Sequence, residues 1–134
     1  MKLTVDSINN INVFESLTGA RVKDCISDNG ELVFLVEEGN VKQAIGTGNS
    51  NIIRLKRLLK KEIKVIGFSD DVKKFVRNLI YPVRADDMGI EDGTLTLFFN
   101  DNISKGKVFG RGRENLKKIN DIVKKYFDVE VEVA

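Results

Sequence analysis

Apolar residues at Val5, Ile8, Ile11, Phe14 and Leu17 recur in steps of three, which predicts a helix over residues 5–18. Gly19 stands where a left-handed residue would end it. Arg21 to Ser27 alternates and predicts a strand. Asp28-Asn29-Gly30 is a hairpin signal. Leu32-Val33-Phe34-Leu35-Val36 is apolar at every position, so the returning strand should be buried on both faces. Gly39 to Ile45 reads as a short helix. Ser50 to Lys61 reads as a basic helix with Ile52, Leu55, Leu58 and Leu59 turned inward, and Glu62 to Ile66 as a third strand.

The pattern then begins again. Ser69 reads as an N-cap, followed by Asp70 and Asp71 in an acidic first turn, and Val72, Val76 and Leu79 line one helix face. Pro82 ends that helix. Val83 to Ile90 is the next strand, Asp92-Gly93 a turn, and Thr94 to Phe99 an alternating returning strand. Asn102 to Phe109 reads as a short helix, Glu114 to Phe127 as a long one, and Val129 to Val133 as the last strand. Each half thus has the order α-β-β-α-turn-α-β, and the fold class is α+β. The join near Gly67 divides the chain into residues 1–67 and 68–134.

The turn between the two consecutive helices is the repeated feature. Gly46-Thr47-Gly48-Asn49 in the first half corresponds to Gly110-Arg111-Gly112-Arg113 in the second, 64 residues on. At that offset Ile45 matches Phe109, Asn51 matches Asn115, Ile52 matches Leu116 and Arg54 matches Lys118. Two glycines bend the backbone sharply and remove the Cβ atoms that would hold another molecule away from it. The helix starting beside each turn offers free N–H groups and the positive end of its dipole, a setting suited to phosphate. A single Gly-x-Gly turn is more often a plain connection between helices. Its duplication at one offset with basic flanks favours RNA.

Composition narrows the field. The 134 residues are 42% hydrophobic and 31% charged, as in a globular protein, and no apolar run approaches the roughly 20 residues of a membrane span. The N-terminus lacks the apolar core of a signal peptide, and one cysteine excludes an internal disulfide, so a cytoplasmic protein is expected. The net charge is only +2. The distribution is more telling: Arg54, Lys56, Arg57, Lys60, Lys61 and Lys64 crowd the first basic helix and its exit. Lys105, Lys107, Arg111, Arg113, Lys117 and Lys118 crowd the second turn. With no histidine, Ser–His and Cys–His catalysis is impossible. Gly46-x-Gly48 lacks a third glycine and follows a helix, unlike a dinucleotide loop. Asp70-Asp71 and Asp86-Asp87 are read as caps and solvated loops, not metal ligands, and Cys25 as a small buried hydrophobe. No enzyme activity, metal or cofactor is expected.

Ile45-Gly-Thr-Gly-Asn-Ser-Asn-Ile52 and Phe109-Gly-Arg-Gly-Arg-Glu-Asn-Leu116 resemble the I-G-x-x-G-x-x-I signature of KH domains, and the element order resembles the type II KH fold. Two such units in tandem, with Phe14-Glu-Ser-Leu-Thr-Gly-Ala20 leading into the first strand, resemble the archaeal NusA-like transcription factors over nearly the whole chain. The resemblance implies two tandem type II KH domains, single-stranded RNA as ligand, RNA polymerase as a partner, a monomer, and a role in transcription elongation or termination. A KH protein of ribosome assembly or RNA processing, or a KH-like scaffold for proteins, are the alternatives.

In KH domains the loop clamps the backbone of about four nucleotides beside a groove that takes the bases. Carried over, Gly46, Thr47, Gly48 and Asn49 would approach phosphates in the first unit. Gly110, Arg111, Gly112 and Arg113 would do so in the second, with Lys107 nearby. Asn51 with Arg54, and Asn115 with Lys118, sit three apart on a helix face and would reach the adjoining nucleotide. Ile45, Ile52, Phe109 and Leu116 would floor the groove or belong to the core, with core preferred for Ile52 and Leu116. Lys60, Lys61, Lys124 and Lys125 are read as a solvated face. The signature ends its loop in glycine, where this chain has Asn49 and Arg113. Arginine enters left-handed conformations less readily than asparagine. The second turn is thus open to two readings, a different backbone path or an added phosphate contact through Arg113.

Overall fold

The structure, a computed structural model, describes residues 5–28 and 30–134, the side chains of Val5 and Asp28 excepted. The chain divides into two compact units, Met1–Ser69 and Asp70–Ala134. Both are α+β, and each contains one three-stranded sheet.

In the first unit α1 spans Val5–Thr18, β1 Val22–Asp28, β2 Glu31–Glu37, α2 Val41–Ile45, α3 Ser50–Leu59 and β3 Glu62–Phe68. Helix α1 ends as its sequence suggests: Gly19 takes a positive φ and donates its N–H to the Glu15 carbonyl at 2.9 Å. β2 lies between an antiparallel β1 and a parallel β3. Asn29 of the expected hairpin lies outside the described residues, but Asp28 pairs with Glu31 across it. Leu32 to Val36 are all buried. Phe14 stacks on Phe34 with ring centroids 4.2 Å apart, and Cys25, Ala44 and Leu55 complete the core around them.

Three expectations for this unit need correction. Leu58 is not inward but 59% exposed. It lies about 60° around the helix from Leu55, on the side away from Ile52 and Leu59. Ile8 is likewise 44% exposed, because a strict spacing of three drifts off the core face. The short helix predicted from Gly39 begins with a 3-10 turn, Glu38–Asn40, and becomes α-helical only at Val41.

In the second unit α4 spans Val72–Ile80, β4 Asp87–Glu91, β5 Thr94–Phe98, α5 Asn102–Phe109, α6 Glu114–Val123 and β6 Glu130–Val133. The sheet repeats the first, with β5 between antiparallel β4 and parallel β6. Asp92 and Gly93 both have positive φ, as a two-residue hairpin of this twist requires. Phe75, Val76, Leu79 and Ile80 of α4 are buried, with Phe75 packed against Tyr126 and Phe127. Buried Asn120 accepts from Val131 N–H at 2.7 Å and donates to Val131 C=O at 2.9 Å, which ties α6 to β6.

Here too boundaries move. Asp71, not Ser69, caps α4: its backbone is extended and its carboxylate accepts from Lys73 N–H at 3.0 Å. The strand expected from Val83 starts at Asp87, since the first ladder contact is Asp86 N–H to Phe98 C=O. Helix α6 stops at Val123 and continues only as turns through Tyr126.

Candidate nucleic-acid interface

The two glycine turns occupy equivalent places, between α2 and α3 and between α5 and α6. Their backbones follow the same path. Gly46 has φ 78, ψ 167 and Gly110 has φ 76, ψ 169. Gly48 (60, 31) matches Gly112 (59, 30), and Asn49 (62, 23) matches Arg113 (66, 13). Of the two readings left open for the second turn, a different path is therefore wrong. Arg113 takes the left-handed conformation that Asn49 takes, at a cost of roughly 1–2 kcal/mol for a residue that carries a Cβ.

The glycines in each turn have different reasons to be glycine. At Gly46 a Cβ would stand 2.7 Å from Ser50 Oγ and 3.0 Å from the Asn51 side chain. At Gly110 it would stand 2.7 Å from the Asn115 backbone nitrogen. These two are demanded by the chain's own packing. At Gly48 and Gly112 nothing lies within 4 Å of the missing Cβ, so that side of the main chain is open.

Local hydrogen bonds close both turns. Asn49 N–H donates to Gly46 C=O and Arg113 N–H to Gly110 C=O, each at 3.3 Å, and the next N–H closes a 3-10 turn. Asn51 Nδ2 donates to the Gln43 carbonyl at 3.0 Å, and Asn115 Nδ2 to those of Lys107 and Val108 at 3.1 and 2.9 Å. The matched asparagines thus clip each turn shut from behind by holding the last carbonyls of the preceding helix. Neither α3 nor α6 has a side-chain cap at its start.

Thr47, Gly48, Asn49, Arg111, Gly112 and Arg113 are exposed, as are Arg54 and Lys107. Lys118 is half-buried. Leu116 is 1% exposed and belongs to the core, while Ile45, Ile52 and Phe109 are half-buried at the edge of the turns. Arg113 does not project freely. Its guanidinium lies 3.4 Å from a Glu132 carboxylate oxygen and 5.5 Å from the centre of the Phe109 ring. Glu132 was not singled out in the sequence; its alternation with Glu130 along β6 was the available signal.

Away from the turns, Asp101 caps α5 by accepting from Ser104 N–H at 2.7 Å, and that bond holds its carboxyl below the usual range. Lys124 pairs with Glu130, whose hydrogen bond raises the ammonium's pKa. Burial, with Asp24 adding to it, pushes the Cys25 thiol up to about 11. Among the described residues no group of three potential ligands could hold a metal, and no helix is long and apolar enough to cross a membrane.

Over 130 residues the chain is 30% identical to the probable transcription termination protein NusA of Methanocaldococcus jannaschii, covering 94% of this chain and 70% of that one. The chain belongs to the archaeal NusA family. The NusA of Methanococcus vannielii, also named a probable transcription termination protein, is 36% identical over 91 residues; the match takes in 68% of this chain and about half (53%) of that relative. In three dimensions this NusA-like chain matches the crystal structure of APE1850 with a TM-score of 0.77 and 33% identity, over 97% of this chain and 98% of the other. No family model matches it.

A concave place in the NusA-like chain lies outside the features that its sequence predicts. It is a cleft of about 600 Å³ in the second unit, lined among others by Lys73, Arg77, Tyr81 and Arg84. The steps of four from Lys73 to Arg77 to Tyr81 were the readable signal.

Proposed function

We propose that this chain binds single-stranded RNA through its two glycine turns and acts in transcription elongation or termination, in company with RNA polymerase in the cytoplasm. On this reading the two units are tandem type II KH domains. The observation that carries it is the agreement of the two turns. Backbone torsions coincide at three positions of each turn, although Thr47 and Asn49 are replaced by Arg111 and Arg113. A mere connector between helices has no reason to keep a positive-φ glycine whose open side meets nothing of the chain. A loop that brings its main chain against a phosphate does.

The chemistry required is modest. The exposed main chain of Thr47-Gly48 and Arg111-Gly112 meets phosphate oxygens. The uncapped starts of α3 and α6 add their dipoles, and Arg54, Lys107 and Arg111 neutralise charge. Asn51 and Asn115 position the turns instead of reading bases, because their amides already hold the preceding helix. Arg113 reaches RNA only by leaving Glu132, an exposed pair of small net value. The process involves no bond making or breaking.

Binding should therefore weaken with salt. For single strands, log K falls by about 0.7 per phosphate neutralised, so four to six contacts give a slope of about −3 to −4 against log salt. Fluorescence anisotropy with a labelled oligonucleotide measures it; a slope near zero sinks the reading.

A further inference from the structure

The face of α4 turned away from Phe75 and Leu79 carries Lys73 and Arg77, and Tyr81 follows at the helix end, each four residues after the last. The segment from Val83 to Met88 forms the opposite wall of the cleft there. Tyr81 is 68% exposed. Among the described residues, none of the Lys73, Arg77 and Arg84 side chains is held in an ion pair. The wall also carries two carboxylates. Asp86 accepts from Asn100 N–H at 2.6 Å and Asp87 from Met88 N–H at 2.8 Å, and each has further acceptor positions left. No residue of the Gly110 turn lines the cleft.

We propose that this cleft is an additional binding place for single-stranded RNA, in which one base stacks on Tyr81 and the flanking phosphates lie on Arg77 and Arg84. An open aromatic ring bracketed by cations is the combination that holds an unpaired nucleotide: the ring takes the π-face of any base, and the cations take the backbone. Asp86 and Asp87 favour RNA over an acidic peptide. They repel anions of either kind, but only RNA brings base amino groups that donate hydrogen bonds to them. Met88 and Val83 supply apolar contact beside the ring. The site extends the track of RNA beyond the glycine turns, and it rests on the reading that this chain binds RNA.

The test uses the full chain and two labelled single-stranded RNAs. One is about four nucleotides long, enough for one turn, and the other is several times longer. Tyr81→Ala should weaken the longer RNA about tenfold, the loss of one base stack, and leave the short one unchanged. Arg77→Ala with Arg84→Ala should make the salt slope for the longer RNA shallower by about 1.4. These side chains are exposed, so melting should stay near the parent. Tyr81→Trp gives a protein with a single tryptophan, since the chain has none. Its emission should be quenched by the longer RNA and not by polyglutamate. If polyglutamate quenches it and RNA does not, the cleft is a peptide site and the proposal is wrong. The proposal also fails if the parent binds the longer RNA and both cleft variants bind it equally well with the same slope. A parent that binds neither RNA overturns the RNA reading itself.

Discussion

Within each turn the two glycines should respond very differently to alanine. Gly110 has φ 76 and ψ 169, a region essentially reserved for glycine, where another residue costs about 1–3 kcal/mol. Its new Cβ would also lie 2.7 Å from the Asn115 backbone nitrogen, so a helix start has to move, at a further cost of about 1–3 kcal/mol. Gly110→Ala should therefore destabilise the second unit by about 2–6 kcal/mol. Gly112→Ala meets open space and an ordinary left-handed conformation, at about 1–2 kcal/mol. The same order holds in the first unit with a smaller gap, because the atom nearest to Gly46 is Ser50 Oγ, which can rotate away. In a unit of this size each kcal/mol lowers the melting temperature by roughly 4–8 °C. Thermal unfolding followed by circular dichroism should thus separate Gly110→Ala from Gly112→Ala by about 10 °C or more. Equal losses at the two positions would refute the claim that only the first glycine is demanded by internal packing.

Arg113→Gly should keep or slightly raise stability, since it relieves a left-handed arginine whose partner is only an exposed carboxylate; a melting curve well below the parent's would show that the Glu132 and Phe109 contacts matter more. Asn120→Ala should cost about 2–4 kcal/mol in urea unfolding, because it strands both the N–H and the C=O of buried Val131. Cys25 is an acid whose pKa rises from 9.0 to about 11 on folding, so the unfolded chain ionises first and stability should fall between those pH values. Cys25→Ala should remove that part of the decline, and the native thiol should resist alkylating reagents that modify the unfolded chain rapidly. Asp101 is shifted the opposite way: its contribution is present above the usual carboxylate range and lost as pH falls below it, so Asp101→Asn should flatten the acid limb of the stability profile.

Much of this molecule was legible in its sequence because hydrophobic period and glycine placement agree. Val5–Thr18 and Asn102–Phe109 are readable to the residue, and the 64-residue offset alone pairs both turns. What was not legible depends on packing. Leu58 has the right chemistry for the core but sits on the wrong side of Leu55. The start of β4 is decided by where Asp86 meets Phe98, which local propensity does not encode. The shared torsions of Asn49 and Arg113 were hidden because residue preference argues against arginine there, and the surrounding repeat overrides that preference. The clip formed by Asn51 and Asn115 could not be told from a ligand contact, since both readings place the amide at the turn. The cleft beside Tyr81 needed the 83–88 segment to be folded against α4 before it existed as a site.

The most direct test replaces Thr47-Gly48 and Arg111-Gly112 by Asp-Asp, singly and together, and measures single-stranded RNA binding by anisotropy beside the melting curve. Aspartate tolerates the left-handed conformation and the open sides of Gly48 and Gly112 accept its side chain, so the fold should persist with losses of about 1–2 kcal/mol per turn. Carboxylates placed where phosphate belongs should repel it. The second replacement also removes a positive charge and should weaken binding more than the first, and the two together should nearly abolish it. A doubly replaced chain that melts near the parent and binds RNA as tightly would show that the turns are only connectors.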